Sequence, residues 1–303
     1  MLQAAGRQYR QLAAAGAFAA GMVLMNERMG FIAEADKPKN LGALDPQEFK
    51  PFKITAKKKL THDTYLYTFE LPNNQASGLH TASCLVTRAM ITPAGEAQPK
   101  PVVRPYTPVS PPGARGYLDL AVKVYPKGTM SKHIGSLKPG DTLEMKGPIP
   151  KYPYQPNIKK NIGMVAGGTG IAPMLQVIDT VLANPDDKTR ITLVYGSVSP
   201  ADIIFKDKLD ALSRAHPDRL RVVYTVDRRG WGGLLWGGNV GVISKDLLSK
   251  HMPPPDKDNL IMVCGPPGMM DAVSGNKAKD FTQGELTGAL KALGYTSAHV
   301  FKF

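Results

Sequence analysis

The spacing of apolar positions changes character once along the chain, near residue 160. Before that point apolar residues fall in short, partly alternating stretches bounded by turn residues. Thr64-Tyr65-Leu66-Tyr67-Thr68-Phe69-Glu70-Leu71 is rich in aromatic and β-favouring residues, and Leu118 to Tyr125 alternates in part. Thr142-Leu143-Glu144-Met145-Lys146 alternates between turn signals, and Pro93 to Pro101 reads as a surface loop. Short strands at this spacing predict a small antiparallel β-barrel over residues 51–152. From Asn161 the apolar runs become continuous: Ile162–Ala166, Ile191–Tyr195, Leu220–Val226 and Leu260–Cys264 read as buried strands. Helical patterns begin at Pro173 and at Asp207, so residues 161–303 predict an α/β domain with a doubly wound parallel sheet. Residues 153–160 are the linker between the two domains, and no internal repeat is visible.

The first 30 residues follow neither pattern. Arg7 and Arg10 precede an apolar run from Leu12 to Met25, and no acid appears before Glu27. A basic, acid-poor stretch followed by an apolar one is a targeting signature. The run is shorter than the ~20 residues of an ordinary membrane span. Residues 1–30 are therefore expected to target and anchor the chain. A secretory signal is the rival reading, and no disulfide pattern in the body supports it. Residues 31–50, with Asp36-Lys37-Pro38-Lys39-Asn40 and Pro46, read as a polar linker.

Composition narrows the function classes. At 303 residues, with 43% hydrophobic and 21% charged residues, the chain can bury two ordinary cores and is not a disordered protein. The formal charge of +13 calls for an anionic partner: nucleic acid, an anionic membrane or an acidic protein. Lys57-Lys58-Lys59 is the densest basic run, too short for a nucleic-acid arm. Cys84 and Cys264 cannot make a disulfide framework, and neither they nor the six histidines fall at metal-ligand or catalytic spacing.

Four motifs carry candidate chemistry. In Arg104-Pro105-Tyr106-Thr107-Pro108 the prolines brace an extended run, and alternation puts Arg104 and Tyr106 on one face. A guanidinium, a phenol and a hydroxyl held together suit a ligand with a diphosphate and a flat ring. Gly128-Thr129-Met130-Ser131 precedes a helix start, where free N–H groups and a Ser hydroxyl form an anion site; read alone, such a tetrapeptide is more commonly a Ser N-cap beside a Gly turn. Gly167-Gly168-Thr169-Gly170 links a strand to the helix opening at Pro173-Met174 and lets backbone approach a nucleotide. Cys264-Gly265-Pro266-Pro267-Gly268-Met269 ends another strand. Asp227, also at a strand end, suits a ribose hydroxyl and repels a 2′-phosphate, although Arg228 and Arg229 beside it favour one.

The ordered set of these motifs, with Lys138-Pro139-Gly140-Asp141, Gly147-Pro148 and the ending Gly284-Glu285-Leu286-Thr287 to Phe301-Lys302-Phe303, resembles the NADH-cytochrome b5 reductases. It is most similar to their fungal mitochondrial type, and the likeness covers residues 50–303. The resemblance implies a ferredoxin-reductase-like pair of domains, with FAD on the barrel and NADH on the sheet. FAD would lie against Arg104, Pro105, Tyr106, Thr107, Lys123, Tyr125, Gly128, Thr129, Met130 and Ser131. NADH would lie against Gly167, Gly168, Thr169, Gly170, Pro173, Met174, Asp227, Cys264, Gly265, Pro266 and Met269. Thr107, Tyr106, Lys123 and Cys264 would border the reacting rings, with Cys264 shaping the approach of the nicotinamide. The family often has Thr where this chain has Ala172, so a hydroxyl contact is missing here. The implied reaction is hydride transfer from NADH to flavin, then single-electron transfer to cytochrome b5 or a similar acidic haem protein. Lys127, Lys132, Lys159 and Lys160 are expected to steer that partner. The implied location is mitochondrial, in the outer membrane or intermembrane space, with the endoplasmic reticulum membrane as the alternative. An NADPH-preferring diaphorase and a non-catalytic nucleotide-binding membrane adaptor are the alternative functions.

Overall fold

A computed structural model describes residues 42–92, 96–229 and 236–303 of the chain. The expected anchor at 1–30, residues 31–41 of the expected linker, and Pro93–Gly95 of the expected loop lie outside the described residues. Among the described residues no helix is long and apolar enough to cross a membrane.

Strands β1 (Lys50–Lys59), β2 (Thr64–Glu70), β3 (Ser83–Ile91), β4 (Lys100–Tyr106), β5 (Tyr117–Lys123) and β6 (Thr142–Pro150) form one sheet in the order β4-β3-β6-β1-β2-β5. Every pairing in it is antiparallel. Period-two patterning turns Phe52, Ile54, Tyr67, Phe69, Leu118, Leu120, Leu143 and Met145 into a common core. The edge strands β4 and β5 are not neighbours in the sheet; helix α1 (Thr129–Ser136) packs against both and sends Met130 and Ile134 into that core. The barrel is thus sealed by a helix, which also covers two edges that would otherwise be open to pairing. Two boundaries move. Lys100 and Pro101 pair with Ile91 and Met90, so the loop expected to reach Pro101 ends earlier. The linker expected through residue 50 is already docked from residue 42: Ala43 and Leu44 are buried in the barrel core, and their N–H groups donate to Ala76 and Ser77 carbonyls. Two apolar side chains in a polar stretch were enough to fasten it.

Strands β7 (Asn161–Gly167), β8 (Arg190–Ser197), β9 (Leu220–Val226), β10 (Asn239–Val240), β11 (Asn259–Cys264) and β12 (Val300–Lys302) form a parallel sheet in the order β10-β9-β8-β7-β11-β12. Its continuous apolar runs are buried on both faces, as parallel sheets require. Helices α2 (Ile171–Ala183) and α3 (Lys206–Ala215) share a core with Ile162, Met164 and Leu193. Helices α4 (Lys245–His251), α5 (Pro267–Val273) and α6 (Gly288–Ala292) share the opposite core with Val165, Val194 and Ile261. This is the doubly wound arrangement. Residues 153–160 are fastened rather than loose, because the Tyr154 hydroxyl donates to the Asp187 carboxylate and Asn157 N–H donates to Asp187 Oδ1 at 3.3 Å.

Two features lock the halves and the C-terminus. Ala82, Val109 and Ala121 of the barrel belong to the same core as α2, so the domains meet over apolar surface. Lys302 is 2% exposed, yet its ammonium donates to the carbonyls of Ser274 (3.3 Å), Asn276 (3.2 Å) and Glu285 (2.9 Å). A buried charge is tolerable only with such compensation. Gln283 adds a two-way bond to the Lys302 backbone, so the last strand holds the 274–285 segment in place.

Candidate active site

From β7 the chain runs through β8 to β9 and β10 on one side, then returns to β11 on the other. The carboxyl ends of β7 and β11 therefore flank a topological switch point, the place where open parallel sheets leave a crevice. Gly167–Gly170 leaves one strand there and Cys264–Met269 the other. A Cβ on Gly170 would lie 2.1 Å from the Cys264 carbonyl oxygen, and one on Gly265 would lie 2.4 Å from Met269 Cε. At Gly170 the two loops pass backbone against backbone, which only glycine permits; at Gly265 the space is taken by the Met269 side chain. Gly168 is different: φ is +53° and no atom lies within 4 Å of a would-be Cβ, so its outer side faces open space. Its carbonyl accepts from the buried Tyr195 hydroxyl at 2.9 Å, which fixes the turn. Asp227 leaves β9, two strands or roughly 10 Å from β7. Its N–H donates to Ser197 at 3.0 Å, and its carboxylate is exposed with no ion pair among the described residues. Arg228 and Arg229 are exposed beside it.

On the barrel, Arg104 is paired in register with Thr87 and Tyr106 with Leu85. Arg104 is exposed; its guanidinium reaches only the Val103 carbonyl, at 2.7 Å, and no carboxylate among the described residues. Burial pushes the Tyr106 hydroxyl up to about 12, with Arg104 opposing, so the ring is neutral and half-buried. The first turn of α1 carries no side-chain cap, which leaves its leading N–H groups to an outside acceptor. Ser131 is not an N-cap: it stands inside that turn and its hydroxyl accepts from Tyr125 N–H at 3.2 Å. Gly128 makes room for this, since a Cβ there would lie 2.2 Å from Ser131 Oγ.

Several expected ligand residues stand differently. Met130, Pro173 and Met174 are buried, with both methionine side chains in the hydrophobic cores, so they can offer a ligand only backbone. Tyr125 lies beyond the end of β5 and is exposed, so it is not part of the strand that carries Lys123. Lys123 is bound to Asp63 at 2.8 Å, and burial, which would raise that carboxyl, is outweighed by Lys123 and the Thr64 and Thr61 hydroxyls. Lys159 and Lys160 precede β7, about 20 Å along the strand from the glycine loop. They are engaged with the Lys257 carbonyl and with Asp258 at 2.6 Å, so they do not line this site. Lys127 is exposed just before α1 and Lys132 is exposed on it.

Between the halves lie residues that no motif announced. Gln176 of α2 is 2% exposed and hydrogen-bonds to Pro108 and Ser83 of the barrel. His62, with its side chain 71% exposed, touches Asp202 of the sheet domain at 3.0 Å and Asp63 of the barrel at 3.5 Å. Lys277 is half-buried, and both Cys84 and Cys264 feel its charge. Burial pushes the Cys264 thiol up to about 12, so it is a neutral thiol and no thiolate nucleophile. A polar residue inside the apolar run Ile171–Ile178 was a legible signal for Gln176; nothing local marked His62 or Lys277.

A guanidinium with no carboxylate partner among the described residues, an uncapped helix start and an aromatic ring on one side, with a strip of exposed glycine backbone on the other, fit a flavin and a pyridine dinucleotide. The comparisons agree. Residues 51–154 match the oxidoreductase FAD-binding domain, and residues 164–275 the oxidoreductase NAD-binding domain. An NADH-cytochrome b5 reductase-like protein of Arabidopsis thaliana is 53% identical over 86% of this chain and 78% of its own. NADH-cytochrome b5 reductase 2 of Scheffersomyces stipitis is 47% identical over 84% of each chain. The crystal structure of the cytochrome b5 reductase domain of Ulva prolifera nitrate reductase superposes with a TM-score of 0.74 at 32% identity, over 86% of this chain and 99% of that one. With both domains matched in order and identity of this extent along the chain, it belongs to the NADH-cytochrome b5 reductase family.

Proposed function

We propose that this protein is an FAD-dependent oxidoreductase that carries electrons from NADH to cytochrome b5. The observation that carries the reading is the junction itself: Arg104–Thr107 and the start of α1 on the barrel, joined through Gln176 to the helix that follows the glycine loop. The chemistry that a flavin held there would supply is acceptance of a hydride from NADH and release of its two electrons one at a time to a haem iron. Arg104 and the α1 N–H groups would hold the diphosphate, and the neutral Tyr106 side chain would support the flavin's flat ring. The backbone of Gly167–Gly170 and Cys264–Met269 carries NADH, and the neutral Cys264 thiol borders the nicotinamide without adding charge. Asp227 receives the adenosine ribose, which favours NADH over NADPH.

Residues 1–30 target the chain to mitochondria and anchor it in the outer membrane, or leave it in the intermembrane space. The support is their basic, acid-poor and then apolar sequence. The +13 charge, with Lys127 just before α1 and Lys132 on it, supports an acidic haem protein as partner. The test is oxidation of NADH and NADPH side by side, with ferricyanide and cytochrome b5 as acceptors, at low and high salt. NADH is expected to be preferred. Reduction of cytochrome b5 should slow with salt once charges are screened beyond roughly 8 Å. A colourless protein that oxidises neither nucleotide overturns the reading in favour of an adaptor, and equal or better use of NADPH assigns Arg228 and Arg229 the role given to Asp227. Fractionation of tagged full-length and residue 31–303 chains tests the anchor; recovery of both in the same soluble fraction defeats it.

A further inference from the structure

Gln176 is a buried polar residue in a helix turn whose neighbours are all apolar. Its Nε2 donates to the Pro108 carbonyl at 3.0 Å, and its Oε1 accepts from Ser83 N–H at 3.2 Å. A carbonyl only accepts and an amide N–H only donates, so the carboxamide has one workable orientation. Both partners are backbone and both belong to the barrel. Pro108 follows the Tyr106–Thr107 segment directly, and Ser83 opens β3, the strand that pairs with Tyr106 through Leu85. On its own side, Gln176 stands six residues after Gly170, about 9 Å along α2. One rigid amide thus connects the segment on which the flavin ring rests to the helix that issues from the nicotinamide loop. A second cross-domain bond, between the Thr81 and Thr180 hydroxyls at 2.9 Å, lies one turn further along α2.

We infer that Gln176 is a positioning residue that sets the distance between hydride donor and acceptor, as distinct from a residue that binds either cofactor. The inference rests on the proposed function. An apolar residue at this place would leave a buried carbonyl and a buried N–H unpaired, and the interface would shift to rehydrate them. A displacement of about 1 Å between reacting groups costs on the order of 100-fold in rate while leaving each ligand its own contacts.

The experiment compares wild type with Q176L, Q176E and T180V as FAD-loaded full-length proteins. Q176E keeps the size and the bond from Ser83 N–H but sets an oxygen against the Pro108 carbonyl. Flavin bleaching by NADH and by 4-deuterated NADH is followed by rapid mixing. FAD retention, NADH affinity and the long-wavelength absorbance on adding NAD⁺ to the reduced protein are measured separately. Q176L and Q176E are expected to bleach about 10- to 100-fold more slowly, with a larger isotope effect and a weakened long-wavelength band. Retention of FAD and NADH affinity should stay within about twofold, and T180V should behave as wild type. Wild-type bleaching and band in Q176L and Q176E overturn the inference. So does a rate loss matched by equal loss of FAD or NADH binding, or by T180V. Should Q176L not fold, Q176E decides alone. Absence of bleaching in the wild type sinks the proposed function, a result distinct from an active wild type with unaffected variants.

Discussion

On the barrel, the site is chemistry carried on side chains and on one helix end: the exposed Arg104 guanidinium, the half-buried Tyr106 ring that packs against the barrel core, and the uncapped first turn of α1. On the sheet, Asp227 aside, what faces outward is bare backbone. The side chains at the start of α2 point inward, and the site exists because Gly167, Gly170 and Gly265 let two loops lie against each other. The first half can lose a group and keep its shape. The second cannot, because there its shape is the binding group.

That contrast breaks most sharply at Gly170. In Gly170→Ala the new methyl meets the Cys264 carbonyl oxygen at 2.1 Å, and the two backbone segments that carry them hold the crevice. Neither can move without displacing β11 or α2. The expected outcome is a loss of NADH-driven flavin bleaching on the order of 100-fold or more, with FAD still retained by the barrel. Simple loss of FAD, with NADH capture intact, would invert the assignment of the halves.

Arg104→Ala tests the other side. A charge-assisted hydrogen bond contributes about 1.5–3 kcal/mol, so FAD should bind tens-fold more weakly. The thermal midpoint of the FAD-free protein should barely change, since the guanidinium touches only the Val103 carbonyl. Equilibrium dialysis against FAD measures the first, and calorimetry of the apoprotein the second. Unaltered FAD affinity would leave the diphosphate to α1 alone.

Gly168→Ala sharpens the same contrast within one loop. No atom would meet the new methyl, but φ is +53°. A left-handed Ala costs about 1 kcal/mol and nothing more. Reduced stability of that order, with NADH capture near wild type, separates backbone strain from the close approach that Gly170 enforces. If Gly168→Ala abolishes capture as Gly170→Ala is expected to, the open side of this loop is closer to the dinucleotide than its surroundings indicate.

The same contrast explains what could be read from the chain beforehand. Both domain classes were legible, because period-two and continuous apolar runs report on burial directly, and Phe52–Met145 and Ile162–Met262 obey them. The motif glycines were legible too, as glycine is placed by backbone geometry that the motif itself defines. Side-chain roles were less so. Met130 and Met174 sit in motifs by position and in cores by packing. The Lys123 ammonium is taken by Asp63, sixty residues away in the chain, and Lys159 and Lys160 stand at the wrong end of a strand. Each depends on which distant residue arrives beside it, and no local pattern encodes that.

Lys277 gives the most direct view of the seam between the halves. It is half-buried beside Lys151, and it acts electrostatically on Cys84 of the barrel and Cys264 of the sheet. Burial, reinforced by Lys151, lowers its ammonium to about 8. In the unfolded chain a lysine titrates near 10.4. Below about pH 8 both states hold the proton, and the native state bears the full cost of the buried charge. Between about 8 and 10.4 the native state has released it while the unfolded state retains it. The unfolded state then binds more protons, so stability rises with pH across that window and levels off above it. Lys277→Met removes the titration. Urea midpoints measured from pH 7.5 to 10.5 should show the variant ahead of wild type at the low end and the gap closing as pH rises. Groups that titrate in both proteins cancel in the difference. Parallel curves would place the Lys277 ammonium in water and deny that the seam is closed around it; a converging pair would give the junction its own pH signature, independent of either cofactor.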